Sequence, residues 1–211
     1  MTPSDLALAQ DECNQLLQQG LIEPTTSDWA CHAFYVEKRS EKARGKKRLV
    51  IDYKPLNAFL KDDKFPLPKI NSLFVHIREA HIFSKFDLKA GFWQLGISLD
   101  ERPKTAFYIP NTHYQWKVLP FGLKVAPSLF QKAMTKIFQA IMHHTLVYID
   151  DLLLFSKDVE SHYQLLCQFR DLVQSYGIML SERKIQVGKD SIDFLGMVFK
   201  DGHYCPGKHI A

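Results

Sequence analysis

Apolar positions recur along the chain with two periods. From Ser4 to Gly20, a Ser-Asp start, apolar Leu6, Ala9, Leu16 and Leu17, and a closing glycine predict an amphipathic helix. The turn-rich LIEPTTSDWACHAFYVEK then leads into two strand-like runs, AFYV and RLVIDY, separated by KRSEKARGKKR. That spacer reads as the exposed tip of a hairpin, or more plainly as a solvated charged loop. HIFSKFDL and FWQLGISL are strand-like or turn-broken segments around Asp87, and TAFYI and YQWKVL form a second hairpin with Asn111 and Thr112 at its tip.

Pro127 opens SLFQKAMTKIFQAIMHH, where Phe130, Ala133, Met134, Ile137, Phe138 and Ile141 fall at helical spacing. TLVYI and LLLFS flank Asp150 and Asp151 as short strands. Asp158 starts a further helix carrying Val159, Tyr163, Leu166, Phe169, Val173 and Tyr176 until Gly177 stops it. The strand IDFLGMVFK then reaches an Asp201-Gly202 hairpin turn. Strand, helix, two strands, helix, strand is the order of a split βαβ unit, so the predicted class is α+β with an antiparallel sheet backed by helices.

Composition changes this picture little. At 211 residues and 46% hydrophobic the chain supports one large domain or two subdomains. The net charge is only +4, but Lys38, Arg39, Lys42, Arg44, Lys46, Lys47 and Arg48 crowd one segment. Cys13, Cys31, Cys167 and Cys205 have no metal-ligand spacing, which fits reduced thiols and an intracellular setting. The opening residues lack a signal-peptide pattern, and no apolar run approaches the roughly 20 residues of a membrane helix.

LVYIDDLLLF is the exception to the pattern, because it sets two carboxylates inside a run that otherwise wants burial. A tight turn would expose both at a sheet edge, and a hairpin turn alone explains the dipeptide. Asp87, also at the end of an apolar strand, would lie beside them in the split βαβ order. Three converging carboxylates repel one another unless cations intervene, and all-oxygen ligands suit Mg²⁺ or Mn²⁺. Two such ions clamp the attacking and leaving oxygens of a phosphoryl displacement.

These residues resemble the reverse transcriptases of retroelements. YIDD is similar to that family's Y-x-D-D box, FSKFDLKAGFWQLGI to its first catalytic-aspartate motif, and LPFGLKVAPSLFQ to its L-P-F-G-L-x-x-A-P-x-x-F-Q segment. RLVIDYKPLN and DFLGMVF resemble two further blocks, in the family's order. EKARGKKRLVIDYKPLN, HYQWKVLPFGLKVAPSLFQKAM and GHYCPGKHI resemble the plant pararetroviruses of the caulimovirus group and their endogenous copies, with Ty3-type retrotransposons next.

The resemblance implies a right-hand polymerase: fingers over 1–61 and 95–125, palm over 62–94 and 126–211, the palm carrying the ferredoxin-like split βαβ sheet. It implies that Asp87, Asp150 and Asp151 hold two Mg²⁺ (or Mn²⁺) ions, joined by the backbone carbonyl of Leu88. Lys38 and Arg48 would grip the dNTP triphosphate, and Phe92 would exclude a 2′-hydroxyl beneath the sugar. Phe121 and Gly122 would line the nucleotide pocket, where retroviruses commonly place Gln at the position of Phe121. Tyr148 and Ile149 would pack near the primer terminus, with Phe194, Leu195 and Gly196 in the hairpin that positions the primer. Lys184 would protonate pyrophosphate. Plainer alternatives are solvation for Lys38 and Arg48, core packing for Phe92, and strand packing for the primer residues.

The implied activity is RNA-directed and DNA-directed DNA synthesis with a primed RNA or DNA template, dNTPs and no membrane, in the cytoplasm or within virus-like particles. Thumb, connection and RNase H regions lie outside the sequence. A polyprotein fragment that holds template and primer weakly is therefore expected. Ser27-Asp28-Trp29 departs from the common Ser-Pro-Trp. Two rivals are a decayed scaffold that only binds nucleic acid, which loss of an aspartate would favour, and an RNA replicase, which a small or polar residue at 92 would favour.

Overall fold

Thr2 accepts a hydrogen bond from the Asp5 amide at 3.2 Å and so caps the first helix, one turn's start ahead of the Ser4 signal. The computed structural model describes residues 1–37, 47–69, 72, 74–77 and 79–207, with only the backbone of 37, 47, 48 and 76. In chain order the elements are α1 (Pro3–Gln18), β1 (Ile22–Pro24), β2 (Cys31–Glu37), β3 (Lys47–Ile51), α2 (Lys54–Phe59), β4 (Ile82–Asp87), β5 (Phe107–Ile109), β6 (Thr112–Trp116), α3 (Ala126–Ile137), β7 (Thr145–Tyr148), β8 (Asp151–Ser156), α4 (Val159–Tyr176), β9 (Gln186–Lys189), β10 (Ser191–Phe194), β11 (Met197–Lys200) and β12 (His203–Pro206). Short 3-10 turns include Gly91–Gln94, Gln139–His144 and Glu182–Lys184.

Two compact units share the chain: Met1–Asp63 with Phe92–Ala126, and Lys64–Gly91 with Pro127–Ala211. In the first, the strands run in the order β1-β6-β5-β2-β3. β2 and β3 form the antiparallel pair expected on either side of the basic segment, and the tip itself lies outside the described residues. The β5–β6 hairpin turns through Asn111, whose φ of 66° an asparagine side chain tolerates well. Its buried apolar residues include Ala9, Cys13 and Leu16 from α1 and Ile22, Phe107 and Trp116 from the strands.

In the second unit the sheet order is β7-β8-β4-β9, with every neighbouring pair antiparallel. With α3 between β4 and β7 and α4 between β8 and β9, this is the split βαβ arrangement that the element order predicts. β8 is buried from Leu152 to Ser156 because the sheet is covered there on both faces. A three-stranded sheet, β10-β11-β12, adds Ile192, Phe194 and Phe199 to a core with Phe74, Phe83 and Leu153.

Of the two readings left open for FWQLGISL, the structure takes the turn-broken one, since residues 91–94 wind into a 3-10 turn. Three sequence expectations change. The helix from Pro127 ends at Ile137, because Phe138 leaves helical dihedrals (φ −97°, ψ 14°) and buries a ring that stacks on Phe169 at 5.4 Å. IDFLGMVFK is two strands, broken by Leu195 and Gly196 at φ 50° and 77°. Both turn residues are left-handed, as a two-residue type I′ hairpin requires.

The third change concerns α4. Its buried face is His162, Leu165 and Phe169, while Val159 and Tyr163 are exposed. The cause is His162, whose ring nitrogens lie 2.6 Å from Ser84 Oγ and 3.0 Å from Ser156 Oγ on the sheet. Hydrogen bonds satisfy this polar side chain at the centre of the buried face, and burial pushes its pKa down. Hydropathy alone therefore misplaces the face by one residue.

Candidate active site

Tyr148 pairs with Asp151 across the β7–β8 ladder, so the chain reverses through only two residues, Ile149 and Asp150. Two-residue hairpins need φ > 0 at the first central position, normally a glycine. Here that residue is Ile149, at φ 53°. A β-branched side chain in the left-handed region costs about 1–2 kcal/mol, so the turn survives only because its surroundings hold it.

Asp151 then starts β8 directly opposite Asp87, the last residue of β4. The backbone beyond Asp87 is clamped on both sides. Leu88 donates its amide to the Asp150 carbonyl at 2.8 Å, while the Ser181 amide donates to the Asp87 carbonyl at 2.8 Å and Lys89 to Met179 at 2.9 Å. Those contacts also bring up the 3-10 turn with Lys184, whose Nζ lies 3.6 Å from Asp87 Oδ2. Lys184 is 69% exposed, so this pair contributes little to stability.

Asp87 and Asp151 do more than face each other. Burial, the Asp150 charge and a hydrogen bond to Asp87 raise the Asp151 pKa to about 6, against a small opposing effect of Lys85. The raised pKa means that Asp151 keeps its proton to higher pH than an ordinary aspartate does. Asp87 is buried, and its Oδ1 has no hydrogen-bond partner. An orphaned, buried carboxylate oxygen beside a second carboxyl is a donor set that a hard divalent cation satisfies.

The three aspartates named from the sequence lie on one hairpin and on the strand beside it. Among the described residues, no three His, Cys, Asp or Glu side chains gather into a metal cage. Two carboxyls meet, and Asp150 reaches Asp151 through its charge. Burial, the Asp150 charge and the neighbouring Asp87 all favour the protonated form of Asp151 when no cation is present.

The other predicted positions divide between the units. With Asp87, Leu88, Asp150, Asp151 and Lys184, the second unit holds Tyr148 and Ile149 in the catalytic-type hairpin and Phe194, Leu195 and Gly196 at the β10–β11 turn. Phe194 is a core residue at 1% exposure, and the Gly207 amide donates to the Gly196 carbonyl at 2.8 Å. In the first unit, the Phe92 ring lies 5.5 Å from that of Phe121, which is 55% exposed. Phe121 and Gly122 line a cavity of about 310 Å³ with Ile51, Trp93 and Trp116. Arg48 stands on β3 opposite Val36, with its side chain outside the described residues, as is all of Lys38.

Sequence reasoning passed over two residues. Asn57, the last letter of RLVIDYKPLN, donates to the Gly122 carbonyl and accepts from the Lys124 amide, both at 2.9 Å, and so fixes the loop that carries Phe121. Gln131, the last letter of LPFGLKVAPSLFQ, is 3% exposed and bonds the backbone at Val147 and Ile149. Their signal was their place at the end of a motif, next to no chemistry of their own.

The chain belongs to the reverse transcriptase (RNA-dependent DNA polymerase) family, whose profile matches residues 36–199. It is 61% identical over its whole length to the genome polyprotein of petunia vein clearing virus (isolate Hohn). It is 40% identical over 209 residues to the enzymatic polyprotein of cauliflower mosaic virus (strain Strasbourg). The likeness to plant pararetroviruses read from the sequence therefore stands. The chain spans 10% of the first relative and 31% of the second.

A foamy viral protease-reverse transcriptase in complex with an RNA/DNA hybrid shares the fold, with a TM-score of 0.82 and 23% identity over 99% of this chain and 28% of that one. Members of the family generally use divalent metal ions. Among the described residues, no helix is long and apolar enough to cross a membrane.

Proposed function

We propose that the chain is the fingers and palm of a polyprotein polymerase that copies a primed RNA or DNA template into DNA. The observation that carries this reading is the carboxyl pair Asp87–Asp151 at the end of the β4–β8 ladder, within a chain of this family. The first unit corresponds to fingers and the second to palm. A scaffold without catalysis is not favoured, because Asp87, Asp150 and Asp151 are all retained.

Asp87, Asp151 and Asp150 would hold two Mg²⁺ ions, with the Leu88 carbonyl as a further ligand. Bound there, the ions would supply Lewis-acid stabilisation of the attacking and leaving oxygens. For its part the protein positions the reactants and moves protons. Asp151 would be ionised when it holds a cation. A primer 3′-hydroxyl then attacks the α-phosphate of a dNTP and loses its proton to solvent, the P–O bond to pyrophosphate breaks, and base pairing with the template selects the nucleotide.

Lys38 and Arg48 would neutralise the triphosphate through charge-assisted hydrogen bonds. Phe92 would block a 2′-hydroxyl, with Phe121 and Gly122 beside it in the nucleotide pocket. Tyr148, Ile149 and the Leu195-Gly196 turn would seat the primer end, the buried Phe194 ring serving that turn from beneath. Lys184, close to Asp87, would protonate the departing pyrophosphate. Template contacts should run mainly to phosphate and sugar, which makes binding salt-dependent.

The test is primer extension on an RNA template with dNTPs and Mg²⁺, using a protein extended through the polyprotein region that follows. Extension that disappears in Asp150→Asn supports the reading. Equal extension by both proteins refutes it.

A further inference from the structure

Gln131 lies on α3 and is 3% exposed, yet among the described residues its carboxamide bonds only backbone groups. Its Nε2 donates to the Val147 carbonyl at 2.8 Å, and its Oε1 accepts from the Ile149 amide at 2.6 Å. β7 is the edge strand of its sheet. Tyr148 directs its ladder groups at Asp151, so the Val147 carbonyl and the Ile149 amide are the outward pair that an edge strand leaves unpaired. One amide side chain occupies the place of a missing neighbour strand.

The bond falls where the backbone most needs it. Ile149 is the left-handed residue of the turn, and the next residue, Asp150, has its carbonyl held from the other side by the Leu88 amide at 2.8 Å. Gln131 and Leu88 thus grip consecutive residues from opposite directions, and between them they fix which way the Asp150-Asp151 peptide faces.

Resting on the polymerase reading above, we infer that Gln131 is a positioning residue for the metal site: it holds Ile149 in its strained conformation and thereby aims Asp150 and Asp151. It touches no reacting atom. An amide is required, because the clamp needs one donor and one acceptor about a peptide's width apart. Glutamate keeps the acceptor for Ile149 and sets a carboxylate against the Val147 carbonyl, and leucine removes both bonds.

The test compares Gln131→Leu, Gln131→Glu and the double variant Gln131→Leu/Ile149→Gly in a polymerase of polyprotein length. Gln131→Leu should raise the Mg²⁺ concentration for half-maximal extension and lower kcat by about 10–100-fold, with KM for template-primer unchanged. The rise in unfolding temperature on adding Mn²⁺, a readout independent of activity, should shrink with it. Gln131→Glu should show the same defects. Glycine adopts the left-handed conformation unaided, so the double variant should regain part of the Mg²⁺ dependence and of the Mn²⁺ effect.

An unsubstituted protein that extends primers beside variants with the same Mg²⁺ dependence and kcat overturns the inference and leaves the polymerase reading standing. Lower stability with an unaltered metal response also overturns it, because a purely structural role predicts that. If the unsubstituted protein neither extends primers nor responds to Mn²⁺, the polymerase reading fails first.

Discussion

Asp151 stands directly opposite Asp87 at the end of the β4–β8 ladder, with the Asp150 charge acting on the same carboxyl. Burial, that charge and a hydrogen bond with Asp87 all favour the protonated form of Asp151, so ionising it without a cation comes at a cost in stability.

That cost has a definite pH window. The Asp151 pKa lies near 6 in the folded chain against the ordinary aspartate value of 3.8, so between these values the fold keeps a proton that the unfolded chain has released. Stability falls as pH rises through the window and stays lower above it. Metal-free Asp151→Asn should therefore melt about 3–6 °C above the unsubstituted protein at pH 8, with the gap closing near pH 4. Thermal unfolding across pH in a chelating buffer checks this, and identical curves would contradict it.

Removing the aromatic ring at residue 92 should open the nucleotide pocket to ribose. Phe92→Val is expected to raise kcat/KM for ribonucleotides relative to deoxynucleotides by about 10–100-fold. Phe121→Ala should shift the ratio the same way but less, since its ring stands against that of Phe92 at 5.5 Å. Single-nucleotide incorporation measures both, and an unchanged ratio in Phe92→Val would remove the gate assignment.

Phe199 is fully buried and packs edge-to-face on Phe74 with ring centroids 5.0 Å apart. Phe199→Ala should destabilise the second unit by about 3–5 kcal/mol. Urea unfolding followed by circular dichroism would show it. A loss of under about 1 kcal/mol would mean that the site collapses around the cavity far better than a close-packed core allows.

Much of this was legible in the sequence, for physical reasons that differ by residue. The β7–β8 hairpin stood out because Asp150 and Asp151 interrupt an apolar run that nothing but a turn or a ligand site explains. The α4 face was misread because hydropathy ranks His162 as polar, and only Ser84, far away in sequence, and Ser156, at the end of the preceding strand, make its burial affordable. The Leu195-Gly196 turn was hidden inside an apolar run, since leucine gives no turn signal at φ 50°. Gln131 was invisible as a clamp because its partners are backbone groups, which carry no side-chain signature. The aspartate trio was read as one cluster. The register of β4 on β8 sets Asp87 directly against Asp151, and the Asp150 charge acts on that same carboxyl.

The most direct test of the central claim is a Mn²⁺ titration followed by electron paramagnetic resonance, on the unsubstituted protein and on Asp87→Asn at pH 8. The account predicts saturable binding that Mg²⁺ displaces, and a loss of affinity of about tenfold or more when Asp87 loses its charge. Equal Mn²⁺ affinity in the two proteins would contradict it.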